Sequence, residues 1–132
     1  MTGSNLLLDT SAVIELFKGN SLVASRLEKE TTITVPSIVL GELYFGVYRS
    51  SNAVKHMQQV KQFIDNCEVY PIGAETAEIY AIVKNNLLKK GKPNPENDIW
   101  IAAIAKQCNL FLVTFDKHFF EVDDFKLECY AR

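Results

Sequence analysis

Short apolar runs alternate with longer stretches in which apolar residues recur every three or four positions, and this alternation predicts the elements. Leu6-Leu7-Leu8 is a continuous apolar run, as expected of a strand buried on both faces. Asp9, Thr10 and Ser11 end it. Ser11 is placed to cap a helix over residues 12–18, and Gly19 to stop it. Ser21 is placed to cap a second helix that runs through about residue 30, and the β-branched residues 31–35 predict a strand. Pro36-Ser37 begins a third helix, with Ile38, Gly41, Glu42 and Phe45 on one face and Leu40, Leu43, Tyr44 and Val47 on another. A fourth helix, over residues 53–66, carries the stripe Val54, Met57, Val60, Phe63, Ile64 and Cys67, with Lys55 and Lys61 opposite. Residues 68–72 predict a strand. The fifth helix, residues 74–90, has Ala77, Tyr80, Ala81, Leu87 and Leu88 as core candidates. In the sixth, Asn94 is the cap, Pro95 suits the first helical position, and Glu96 favours the positive end of the dipole. A strand over 110–114, a helical turn over 117–120 and a last strand over 127–130 complete the chain. Helices separate most of the strands, so the pattern is α/β, with a largely parallel sheet between helices.

Four acids break this pattern. Asp98 shares a helical face with Ile101, Ala102 and Ala105, where a carboxylate is costly unless something satisfies it. Glu42 lies on a mostly apolar stripe. Asp9 and Asp116 each sit just past the C-terminal end of a buried strand, where open α/β sheets bind ligands. If the strands are parallel, those ends and the helices that follow them share one edge, and the four acids can converge there. Each also has a plain structural reading. Asp9 is a turn former, Glu42 a partner for a buried Arg or Lys, Asp116 a cap, and Asp98 a dipole-stabilised first-turn acid. Thr10 and Thr114 read as turn stabilisers and Trp100 as core; His56 and His118 have no metal-ligand spacing, although His118 can approach the site as Asp116's neighbour.

Composition narrows the choices. With 132 residues, 48% of them apolar and 23% charged, the chain is long enough for one core and too short for two ordinary domains, so residues 1–132 are expected to form one soluble domain. A net charge of −2 provides no overall field for nucleic acid. The one dense positive cluster is Lys89, Lys90 and Lys92, which leads into the Asp98 helix and is a candidate phosphate contact. Three scattered cysteines, Cys67, Cys108 and Cys129, indicate neither a disulfide framework nor a zinc site. No run is long enough to span a bilayer, and the N-terminal segment has no basic leader pattern, so a cytoplasmic location is expected.

Four ionised carboxylates in one place need compensation, since two charges about 4 Å apart repel by roughly 4 kcal/mol at an effective dielectric near 20. A divalent cation removes that cost, and all-oxygen ligands select Mg²⁺ or Mn²⁺ over zinc. Such a site suits phosphodiester hydrolysis, with the metal activating water and one freer carboxylate taking its proton.

Four segments, Leu-Leu-Leu-Asp-Thr-Ser (6–11), Val-Leu-Gly-Glu-Leu (39–43), Asn-Asp-Ile-Trp-Ile-Ala-Ala (97–103) and Leu-Val-Thr-Phe-Asp-Lys-His-Phe (112–119), resemble the PIN-domain family in order and spacing. More narrowly they are similar to the VapC-like ribonuclease toxins of bacterial toxin–antitoxin pairs. The resemblance implies a three-layer α/β/α sandwich, Mg²⁺- or Mn²⁺-dependent cleavage of RNA, homodimerisation, and inhibition by a VapB-like antitoxin that places a basic side chain in the acidic pocket. It assigns the acidic site to Asp9, Glu42, Asp98 and Asp116, with Asp9 and Asp98 the principal metal ligands and Thr114 in support. Its fourth motif admits Asn, which gives Asp116 less weight. The sparse positive charge leads us to expect specificity for a small structured RNA. Rival readings are a housekeeping nuclease, or a non-catalytic RNA-binding or interaction module on the same fold. A haloacid-dehalogenase-type phosphatase needs a second Asp where this chain has Ser11.

Overall fold

Leu6, Leu7 and Leu8 have no exposed surface, and the sheet is built outward from them on both sides. The computed structural model describes residues 5–30 and 32–132. Thr31, the expected start of the second strand, and the first four residues of the N-terminal segment lie outside them. The elements are β1 (Leu6–Leu8), α1 (Thr10–Phe17), α2 (Ser21–Leu27), β2 (Ile33–Pro36), α3 (Ser37–Tyr48), α4 (Ala53–Ile64), β3 (Cys67–Tyr70), α5 (Ala74–Lys89), α6 (Glu96–Cys108), β4 (Phe111–Thr114), a 3₁₀ helix (Lys117–Glu121) and β5 (Leu127–Cys129). Strand order is β3-β2-β1-β4-β5, and all four pairings are parallel, giving the three-layer α/β/α sandwich. Leu6, Leu7 and Leu8 pair with Phe111, Leu112 and Val113, while Leu7 faces Thr34 on the other side. The chain lays β2 and β3 on one side of β1, then returns to lay β4 and β5 on the other. The order reverses between β1 and β4, and a crevice at such a reversal is where open sheets bind ligands.

Several boundaries differ from the expected ones, each for a local reason. Asp9, not Ser11, caps α1. Its Oδ1 accepts the Ala12 amide at 2.9 Å, so the helix begins at Thr10. Asn20 caps α2 by accepting the Leu22 amide at 2.9 Å. Pro95, with extended backbone, occupies the cap position of α6, and Asn94 donates instead to the His118 carbonyl at 3.0 Å.

The core faces are also rotated from expectation. On α3 the buried stripe is Val39, Leu43 and Val47, which leaves Phe45 in solvent. On α4 only Val60 is fully buried, and Val54 is exposed. α5 buries Thr76, Val83 and Leu87 while Ala77, Ala81 and Leu88 are exposed. Thr76 can be buried because its hydroxyl is satisfied: it accepts the Gly73 amide and donates to Gln107. Trp100 is half-buried and stacks on Tyr80, with ring centroids 3.8 Å apart, so it is an inter-helix contact and not core. Elsewhere on α6, Ile99 and residues 101–105 are buried. Fully burying one such isoleucine is worth about 1.5–3 kcal/mol, and several together hold α6 firmly against the sheet.

Lys90 pairs with Asp123 at 2.7 Å and donates to the Glu121 carbonyl, which commits it to the segment after the 3₁₀ helix. The three cysteines are free, and burial pushes all three thiols up, Cys67 to about 11. Among the described residues no helix is long and apolar enough to cross a membrane.

Candidate active site

The C-terminal ends of β1 and β4 deliver Asp9 and Thr114 to the crevice, and both residues are almost wholly buried. Asp9 is clamped from three directions. Ser11 Oγ donates to Oδ1 at 2.7 Å, the Ala12 amide donates to the same oxygen, and Thr114 donates to Oδ2 at 2.5 Å. Burial nevertheless pushes the Asp9 carboxyl above its ordinary range, outweighing these hydrogen bonds, and the charge of Asp116 adds to the rise. Thr114 Oγ1 also accepts the Asp116 amide at 2.9 Å. One buried hydroxyl therefore ties the first acid to the backbone of the fourth. Ser11 extends the tie, since its hydroxyl accepts the Phe115 amide at 2.9 Å.

Glu42 reaches the crevice from α3, and Thr10 donates to its Oε1 at 2.5 Å. Among the described residues no Lys or Arg pairs with it, so the salt-bridge reading does not hold. Asp98 enters from the first turn of α6, its side chain 18% exposed. Its carboxyl is pushed up to about 6, first by burial and then by the charges of Asp116, Asp9 and Glu42, with His118 opposing. That rise occurs at a helix N-terminus, where the dipole favours an anion. Asp116 caps the 3₁₀ helix through the His118 amide, and His118 Nδ1 lies 2.9 Å from Asp116 Oδ1 and 4.0 Å from Asp98 Oδ2.

The crevice therefore brings all four acids together electrostatically, but only some of them present ligand atoms at close range. Asp98, Asp116 and His118 each offer one within 4.8 Å of the others. Two full negative charges at that separation repel by roughly 3–4 kcal/mol at an effective dielectric of 20. Burial first, and then the three neighbouring carboxylates, push Asp98 up to about 6, and the carboxylate oxygens of Asp98 and Asp116 are donors that suit a hard cation. Asp9 and Glu42 line the same crevice with oxygens already held by hydroxyls. The turn-former and cap readings of Asp9 and Asp116 are correct as well, because the hydrogen bonds that end the strands also aim the acids.

His118 was the residue the sequence undervalued. Ligand spacing gave no cue, and the only signal was its place two residues after Asp116, within a turn that folds it back. Thr10 and Ser11 look local in the sequence, yet their hydroxyls contact Glu42 and Phe115, both distant in sequence.

Fold and site together define a parallel α/β sandwich with an acidic, cation-ready crevice at its switch point. Residues 6–125 match the model of the PIN domain family, and the chain belongs to that family. It is 32% identical over 117 residues to Ribonuclease VapC2 of Haemophilus influenzae, across 87% of this chain and 89% of that protein. It is 33% identical over 88 residues to Ribonuclease VapC2 of Rickettsia felis, across 67% and 66%. A chain of the crystal structure of VapBC2 from Rickettsia felis, bound to a DNA fragment from their promoter, superposes with a TM-score of 0.87 at 28% identity, over 96% of this chain and 98% of that one. A chain of VapBC-1 from nontypeable Haemophilus influenzae superposes with a TM-score of 0.86 at 26% identity, over 94% and 96%.

Proposed function

We propose that this protein is a metal-dependent endoribonuclease and the toxin of a toxin–antitoxin pair, acting in the cytoplasm and neutralised by a VapB-like antitoxin. The observation that carries the reading is the convergence at one crevice of Asp98, Asp9, Glu42 and Asp116, where burial first and then the other three carboxylates push Asp98 up to about 6 and, among the described residues, no Lys or Arg pairs with it. In this reading Asp98 and Asp116 would hold Mg²⁺ or Mn²⁺, with Asp9 completing the site, and the close approach of the Asp98 and Asp116 carboxylate oxygens supports it. Such a cation, when bound, lowers the pKa of its water and offsets charge that builds on a phosphate.

The protein's own groups do the rest. Asp9 and Thr114 fix the floor of the crevice, and through the Asp116 amide they hold the acids in place against their mutual repulsion. Glu42, restrained by Thr10 at one oxygen, has its second oxygen available to orient a water or take its proton. His118, at the exposed rim, balances part of the acidic charge until a cation arrives.

Relatives solved as VapBC complexes support the antitoxin partner. An apolar groove of about 360 Å³ reaches from Phe17, Leu43 and Val60 to Thr10 and Glu42, and offers a protein chain a surface continuous with the acids. A basic side chain carried into the crevice would supply the missing positive charge and displace the cation. Exposed apolar residues on α5, among them Ile82 and Leu88, favour pairing with a second copy.

The test is cleavage of total cellular RNA by purified protein with Mg²⁺, with Mn²⁺ and with chelator, alongside Asp98→Asn. Discrete fragments that need metal and vanish in the variant are expected. Cleavage that persists in chelator, or in Asp98→Asn, would refute the assignment.

A further inference from the structure

A shallow recess of about 490 Å³ opens between α3 and α6, lined by Ile38, Gly41, Glu42, Phe45 and Asn97. It adjoins the acid cluster and shares Glu42 with it. The other walls belong to a different chemistry. Phe45 is 64% exposed, three residues beyond Glu42 along α3. Gly41, on the same ridge, has open space where a side chain would stand, so part of the floor is bare backbone. Asn97 directly precedes Asp98 and brings an amide that both donates and accepts. Among the described residues that amide makes no hydrogen bond. The Arg49 guanidinium stands over one face of Phe45, 5.7 Å from its centroid, and leaves the other face for a stacking partner.

An aromatic plane, a two-way amide, an unfilled floor and a nearby cation match the parts of an unpaired nucleotide. The base has a face that stacks and an edge that hydrogen-bonds, and its neighbouring phosphate is anionic. A purely apolar partner would leave Asn97 buried and unsatisfied.

We propose that this recess is a base-binding subsite, which takes an unpaired RNA base beside the phosphate at the acid cluster, stacked on Phe45 with its hydrogen-bonding edge toward Asn97. The proposal rests on the ribonuclease reading above. It places specificity in one base next to the cut.

The test uses a short RNA that carries a cut site located from the fragment ends. A second version has an abasic ribose next to the scissile bond. Cleavage kinetics and molar mass by light scattering are measured for the parent, Phe45→Ala, Phe45→Trp, Asn97→Ala and Tyr48→Ala. Phe45→Ala should raise KM about 5- to 150-fold, as the loss of one base–aromatic stack would, with kcat within about 3-fold. Phe45→Trp should keep the parent's KM. Tyr48→Ala, one turn further along α3 and outside the recess, should match the parent. The abasic ribose should cost the parent at least that factor and cost Phe45→Ala clearly less than it costs the parent, because ring and base share the stacking contact. Asn97→Ala should flatten the preference among bases at that nucleotide.

The proposal is overturned if the parent cleaves and Phe45→Ala cleaves equally well, or if the ring and base penalties simply multiply. It is also overturned if Phe45→Ala alters molar mass and its defect deepens on dilution, because the ring then belongs to a contact between copies. A parent that cuts no RNA with either metal defeats the ribonuclease reading itself, and this subsite falls with it before any variant is compared.

Discussion

Replacing Asp98 with Asn should stabilise the metal-free protein while abolishing cleavage. The carboxyl moves from an ordinary value near 3.8 to about 6 on folding, because burial and the charges of Asp116, Asp9 and Glu42 disfavour its anion. At about 1.4 kcal/mol per unit, that shift bounds the penalty at neutral pH at about 3 kcal/mol. The crevice is open to water on one side, so screening reduces it to about 1–2 kcal/mol. For a chain of this size the corresponding gain in Tm is about 3–8 °C.

The sign with pH follows from the direction of the shift. The carboxyl binds its proton more tightly in the folded state, so the native protein is favoured below pH 3.8 and loses that advantage as the pH rises through about 6. Asn, which is neutral throughout, does not lose it. Melts in chelator from pH 4 to 8 should therefore show parent and variant close together at the acid end and separating as the pH rises. Adding Mg²⁺ should raise the parent and leave the variant unmoved, because ligand linkage stabilises only the form that binds. A variant that is less stable than the parent at pH 7 in chelator, by the same margin as at pH 4, would refute the reasoning. Asp98 would then be a satisfied structural acid, and the crevice would lack no charge.

Three other substitutions probe separate parts of the structure. Thr114→Val removes the donor to Asp9 and the acceptor for the Asp116 amide, so it should cost about 1–3 kcal/mol in denaturant unfolding and lower cleavage as well. Glu42→Gln keeps the shape and the bond from Thr10, so cleavage should fall at least about 10²-fold with unfolding unchanged within about 0.5 kcal/mol, checked by single-turnover kinetics and chemical denaturation. Arg26 forms a two-pronged pair with Glu128 at 2.9 and 3.0 Å, joining α2 to the edge strand β5. Arg26→Ala should cost about 1 kcal/mol at pH 7. Because Arg26 holds the Glu128 carboxyl below its usual value of 4.5, the difference from the parent should fade as the pH drops below that value.

The architecture was legible because apolar periodicity and strand ends follow from backbone geometry, which is local. Leu6–Leu8 reads as a strand buried on both faces, and the run after Asp98 as a buried helix. Helix rotation was less legible. On α5 the alanines at 77 and 81 read as core, yet the helix turns Thr76 inward, because Gln107, 31 residues away, is there to accept its hydroxyl's hydrogen bond. Burial of a polar residue depends on such a partner, and no local pattern announces one.

The same division runs through the site. Carboxylates at strand ends and on apolar helix faces stand out in the sequence, since a charge without nearby compensation conflicts with its own surroundings. What lay beyond the sequence was which oxygens are already in use. Thr114 holds Asp9, Thr10 holds Glu42, and His118 folds back over Asp116. By itself the sequence determined the element order, the sheet's direction and the identity of the four acids, because these rest on local periodicity and on the cost of placing charge among apolar neighbours. Tertiary structure alone decided which acids are tethered by hydroxyls and which stand open beside an imidazole. Hydrogen bonds and charge coupling act through space, and here they join Asp9 to Thr114, 105 positions away.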